Sequence, residues 1–160
     1  MNPNRIRSLT AATIVFAVAG SAHATGTAQL ELDGQSHDLD VQVCDFSGES
    51  DEGDLQTLVG DAETEDGPMR VFVSRNEVSG MLMHTVSVQI GDVMSPEGEV
   101  LEANRSRSGD QWFSAADGPS EPLIRIDGAE LVAEGLFSDT GMTRDPVEGR
   151  LTATCNDPGV

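Results

Sequence analysis

Two histidines, two cysteines and two dense runs of carboxylates are the side chains in this chain whose types could do chemistry. His37 and His84 are the histidines beyond the first 24 residues. Serine hydrolysis would need a nucleophile on a strained turn. The G-x-S-x-G elbow is absent, and Gly48-Glu49-Ser50-Asp51-Glu52-Gly53 misses its spacing by one residue. A Ser–His–Asp set can still be assembled in space, because triads have no fixed chain order. A hydrolase is therefore the last of three functional readings. A transition-metal site would join His37 and His84 with a carboxylate, but no H-x-H or H-E-x-x-H spacing supports it. His84 shares strand parity with Leu82 and Val86, and His37 with Leu39. That parity places each histidine at a sheet margin or hydrogen-bonded in a core.

Calcium is the better metal reading. Asp45, Glu49, Asp51, Glu52 and Asp54 crowd a loop over 45–54, and Asp61, Glu63, Glu65 and Asp66 crowd another over 61–66. Calcium takes about six to eight oxygen ligands from such loops. Asp45, Asp51, Asp54, Asp61, Glu63 and Glu65 are the candidate ligands. The run from Asp61 places Gly67 one position late for an EF-hand, and its twelfth position is Phe72 rather than glutamate. Two solvated loops are the plainer account. Arg105 and Arg107 flank Ser106 and could hold a carboxylate or phosphate through forked hydrogen bonds. Acidic residues elsewhere in the chain compete for them. Trp112-Phe113 is either core or an exposed binding platform. No Gly-rich phosphate loop or dinucleotide fingerprint is present.

The elements that must position these groups read as strands. In Gln29–Phe46, Leu30 and Leu32 alternate before Asp33-Gly34, and Leu39, Val41 and Val43 alternate after it. Asp-Gly between alternating apolar residues predicts a hairpin with a type I′ turn. Cys44 is out of phase with Val43, and a bulge near Val43 would repair the register. Strands are expected at Leu55–Val59, at Met69–Arg75 and at Met81–Ile90. Ser95-Pro96 could cap a short helix through Ala103. Asn76–Gly80, Asn104–Asp110 and Ser138–Gly149 read as turns or loops. Leu123–Phe137 repeats the opening pattern, with Asp127-Gly128 at its turn, and Leu151, Ala153 and Cys155 close the last strand. The expected fold is all-β: an antiparallel β-sandwich or open barrel of about eight strands, with at most one short helix.

Residues 1–24 read as a secretory signal peptide. Arg5 and Arg7 precede the apolar stretch Leu9–Ala19, and Ala22-His23-Ala24 is an A-x-A cleavage site. The apolar stretch is about half of the roughly 20 residues that span a bilayer. One domain, 25–160, follows, with no transmembrane segment after processing. It holds all 28 acidic residues against seven arginines, and there is no lysine, so its charge is −21. Such a field repels nucleic acid and anionic lipid. Two cysteines in an exported chain most simply form one disulfide, Cys44–Cys155.

A strand ending in cysteine, then VSVQIG at Val86–Gly91, then Ile124–Phe137 and a final LTATC at Leu151–Cys155 resembles the LpqH-type lipoprotein antigens of mycobacteria. The resemblance implies a small exported β-rich protein with a cysteine pair towards its two ends, and surface interaction rather than chemistry. The lipid-attachment cysteine of those antigens is absent here. The sequence thus reads first as an exported, periplasmic or secreted, non-enzymatic β protein binding an unknown protein or envelope component. A cation-binding protein using the acidic loops is the second reading.

Overall fold

The computed structural model describes residues 26–46, 56–94, 98–114, 121–141 and 143–155. Ten strands run through them: β1 Gly26–Leu32, β2 Gln35–Cys44, β3 Gln56–Thr64, β4 Gly67–Val78, β5 Met81–Ile90, β6 Glu99–Ser108, β7 Gln111–Ser114, β8 Ile124–Asp127, β9 Glu130–Asp139 and β10 Val147–Cys155. Every pairing is antiparallel. The spatial order is β7-β6-β5-β4-β3-β2-β1-β10-β9-β8, and β6 also pairs with β9. That last pairing closes eight strands into a barrel and leaves β7 and β8 outside the ring. The barrel, not the sandwich, is the form the all-β chain takes.

Tight turns bend this sheet where the sequence supplies positive φ. Asp33 and Gly34 have φ of 52° and 77°, the pair of left-handed residues a type I′ turn requires. Ser79 and Gly80, at 54° and 77°, do the same between β4 and β5. The second Asp-Gly is used differently. Asp127 ends β8, and Gly128, at φ 59°, is the first central residue of the turn.

Inward-facing apolar residues fill the ring. Leu30, Leu58, Val71, Val86, Leu101 and Leu151 are fully buried. A register shift between Val41 and Val43 lets Cys44 face inward while Val43 faces solvent. The expected bulge is therefore present. It brings Cys44 to Cys155 with their Cα atoms 5.4 Å apart, and the two form the disulfide. Gly26 lies against this bridge: a Cβ there would sit 2.9 Å from the Cys44 sulfur.

The seam between β6 and β9 is short. It consists of Leu101 opposite Asp139 and Glu102 opposite Ser138. Thr140 N–H adds a bond to Val100 carbonyl at 2.9 Å. Asp139 holds the chain beyond the seam. Its carboxylate accepts from the N–H groups of Gly141 and Thr143 at 2.8 and 2.7 Å, and from the Thr143 hydroxyl. Those bonds, the Thr143 hydroxyl first, keep the Asp139 carboxyl below its usual range.

Gly149 and Gly135 stand opposite each other on β10 and β9. The room they leave is occupied: a Cβ on Gly149 would lie 2.5 Å from Phe137 Cε2, and one on Gly135 would lie 2.8 Å from Leu123 Cδ1. Phe137 is wholly buried and cannot move aside cheaply. Gly149→Ala is expected to destabilise the barrel by about 1–3 kcal/mol through overpacking. Urea unfolding checks it, with an unchanged midpoint as the contrary result.

Several sequence expectations are corrected. The helix over Ser95–Ala103 is not formed in its described part: Gly98 precedes β6, and Glu99–Ala103 is strand. Residues 95–97 lie outside the described residues. Asn104–Ser108 is the second half of β6 rather than a loop, and Asn76–Val78 extends β4. The strand expected at Leu55–Val59 is β3, described from Gln56 and continuing to Thr64. The acidic loop over 61–66 is therefore the end of this strand and the Glu65-Asp66 turn. Ser138–Gly149 is loop only between Asp139 and Val147.

Candidate functional site

β4, β5, β6 and β7 run on past the disulfide end of the barrel as a projecting lobe. The two sides of that lobe follow from strand register, because directly opposed residues share a face. On the side continuous with the barrel interior, Arg75, His84, Arg105 and Ser114 form one row across β4 to β7. Glu77, Leu82, Arg107 and Trp112 form the next. On the other side lie Val78 and Met81, then Met83 and Phe113.

His84 is the pivot of the inner side. It is 3% exposed. Its Nδ1 accepts the Ile124 N–H at 3.1 Å, so this ring atom satisfies the edge of β8 that faces away from β9. Near the disulfide end β6 and β9 each carry an extra strand instead of each other, and this side-chain bond links across the gap. Arg105 helps, with one guanidinium nitrogen donating to the Glu121 carbonyl at 2.8 Å. The His84 ring packs on Trp112 with centroids 4.6 Å apart. Burial first, and then the charges of Arg75, Arg107 and Arg105, push its pKa down to about 4. The ring is neutral at pH 7, with Nδ1 as acceptor and Nε2 carrying the proton. Nε2 is buried without a hydrogen-bond partner.

This arrangement is unlike that of a catalytic base. A triad histidine has Nδ1–H held by a carboxylate. Here Nδ1 is taken by a backbone N–H, and the charged groups acting on the ring are arginines. His37 sits on β2 opposite Leu30, towards the far end of the barrel, so the two histidines cannot share a metal ion.

The arginines divide into two groups. Arg70, Arg125, Arg144 and Arg150 make all six ion pairs found among the described residues. Arg75, Arg105 and Arg107 take part in none of these, and they are the three around His84. The guanidinium of Arg107 lies 5.6 Å from the Trp112 ring centre, a cation–π distance.

The acidic candidates within the described residues are not gathered into one site. Asp61 is bound at 2.6 and 3.0 Å by Arg70. It lies opposite both Asp40 and Arg70, so the arginine offsets the repulsion of two facing carboxylates. Glu63 and Glu65 are exposed beyond it, towards the far end. Asp45 follows Cys44 at the disulfide end, and Asp51 and Asp54 lie outside the described residues. Among the described residues, no three acidic, histidine or cysteine side chains are grouped to hold a metal ion.

An open groove of about 640 Å³ lies beside the seam, between Asn104 and Arg105 on β6 and Glu134 and Gly135 on β9, and reaches Glu148 on β10. Its charges answer one another: Glu134 accepts from Arg125 at 2.8 Å and from Arg150 at 3.1 Å. Arg105 of the lobe borders this groove. Arg75 and Arg107, like it, take part in none of these ion pairs, and Val78, Met81, Met83 and Phe113 stand exposed on the lobe's other side. Sequence reasoning found Arg105, Arg107 and Trp112-Phe113 but missed Arg75 and the exposed Met81 and Met83. Carrying the parity of Val71 and Val73 two residues onward would have placed Arg75 on the inner side.

The fold and the site together define a closed antiparallel β-barrel, tied by one disulfide, with a cationic and apolar sheet lobe at one end. No protein family, curated protein or solved structure matches the chain.

Proposed function

We propose that the protein is an exported, non-enzymatic interaction module, periplasmic or secreted, that meets a protein or envelope partner through the β4–β7 lobe. One observation carries this reading. Val78, Met81, Met83 and Phe113 are 54%, 43%, 38% and 52% exposed and lie together on one face of the lobe. Exposed methionine and aromatic side chains clustered within a polar rim mark interaction surfaces. The packed barrel interior supports the reading as well, because it moves recognition to the surface. A disulfide hints at an oxidising compartment, which agrees with the leader sequence. The likeness to the mycobacterial antigens points the same way.

A photocrosslinking residue at position 113, in cells that make the protein, tests this. A discrete adduct is expected that disappears when Met83→Glu is added. The same probe at position 63, on the acidic far face, should not form it. No adduct from position 113, or equal adducts from both positions, overturns the reading.

A further inference from the structure

The lobe ends in a strand with one open edge. β7 is the terminal strand of the sheet, and among the described residues no strand pairs with its outer side. It joins β6 through a two-residue turn in which Gly109 has φ 59°, and Ser108 faces Gln111. Bonded and non-bonded pairs alternate from that closing pair, which turns the N–H and C=O of Trp112 towards the open edge. An unpaired edge of this kind is a template for an added strand.

The two sides of such a strand would meet different chemistry. Its residues alternate between faces. On one face they would lie beside Trp112, with Arg107 on the next strand in and over the indole, and on the other beside Phe113, with Met83 in the same row. Arg107 decides the charge of the occupant. The chain has a net charge of −19, yet this arginine, outside the described ion pairs, lies over Trp112 beside the edge. Glu77 shares its row but stands two strands further from the edge, beyond Leu82.

From this juxtaposition we infer that the open edge of β7 takes an extended, acidic peptide segment of the partner protein as an added strand, its carboxylates held by Arg107 and its apolar side chains against Phe113. The inference rests on the interaction-module reading and names the chemistry of its partner. Backbone bonds to Trp112 give the pairing, and forked guanidinium bonds to carboxylates give the preference. Arg107 already lies over the indole, beside the edge that the added strand would take.

Trp112 is the only tryptophan, so its fluorescence reports on the edge directly. The processed, oxidised protein is titrated with a blocked hexapeptide of alternating glutamate and valine. A saturable change is expected, weakened about tenfold in Arg107→Gln and in Phe113→Ser. A peptide with lysine in place of glutamate should bind at least about tenfold more weakly. The glutamate peptide N-methylated at alternate residues should not bind, since it cannot complete a ladder. Equal binding of the lysine peptide overturns the charge assignment. Equal binding of the N-methylated peptide overturns strand addition, as does saturation by inorganic phosphate without any response to the peptide. No response to any peptide, with the position-113 adduct still formed, overturns this inference alone and leaves the module reading standing.

Discussion

Replacing both Cys44 and Cys155 by alanine is expected to destabilise the protein by about 4–5 kcal/mol, the loss the chain-entropy model assigns to a loop of roughly 100 residues. The bridge spans a sequence separation of 111 residues and ties the last residue of β2 to the last of β10. Both half-cystines are buried, so the variant also loses packing against Gly26. The position of the bridge adds to its importance. β1, between β2 and β10, is held by backbone bonds to both, and the disulfide clamps its open end. One strand beyond β10, the ring is closed between β9 and β6 by only two residue pairs. A barrel with so short a seam depends on constraints elsewhere in the ring. Urea unfolding of the oxidised protein and the double variant measures the difference. A loss below about 1 kcal/mol, far under the usual 2–5 kcal/mol, would mean that the unfolded chain is already constrained without the bridge.

The cysteine pair and the opening hairpin were legible in the sequence because each rests on a strong local rule. Two thiols in one chain have one pairing, and Asp33-Gly34 supplies two residues that tolerate positive φ. Even the bulge before Cys44 was legible, as a conflict of phase that only an extra residue could settle. The second Asp-Gly shows where local rules stop. The dipeptide is the same, but pairing with β9 makes Asp127 a strand residue and shifts the turn to Gly128-Ala129.

The lobe was the least legible part, for a physical reason. Period-two hydrophobicity marks a strand only where one face is buried. Asn104–Ser108 alternates arginine and serine, and its inner face carries Arg105 and Arg107 beside His84, so no apolar alternation survives to mark the strand. The Ser95-Pro96 capping pattern was a local preference in competition with ten cross-strand pairs between β5 and β6. Leu101 and Ala103 in the core settled that competition in favour of the strand. The acidic run from Asp61 misled for a related reason: its carboxylates point outward from a strand, where Arg70 rather than a loop conformation makes them tolerable.

His84 should make the barrel sensitive to acid in a window that its own pKa sets. Its folded pKa is about 4, against 6.5 for an ordinary histidine. The folded state therefore favours the neutral ring. Above pH 6.5 both folded and unfolded chains hold it neutral, and its full contribution is present. As pH falls below 6.5 the unfolded chain takes up a proton that the folded chain refuses, and stability drops until the folded pKa near 4 is passed. A shift of that size corresponds to about 3 kcal/mol. The cause is visible in the packing: protonation would place a charge in a buried site beside three arginines and would remove the Nδ1 acceptor of the Ile124 N–H. Two variants separate these effects. His84→Asn can keep an acceptor near the Nδ1 position but has nothing to titrate, so it should lose the stability slope between pH 6.5 and 4. His84→Leu should lose the same slope and also about 1–3 kcal/mol at pH 7, because the Ile124 N–H is left buried and unpaired. Subtracting the variant curves from the parent curve removes the titration of the many carboxylates. The protection of the Ile124 amide against hydrogen exchange, taken relative to the intrinsic rate at each pH, should fall in parallel as the pH falls, since that bond links β8 to β5. Parallel stability curves for the parent and His84→Asn would show that the ring ionises as freely in the folded protein as in the unfolded chain.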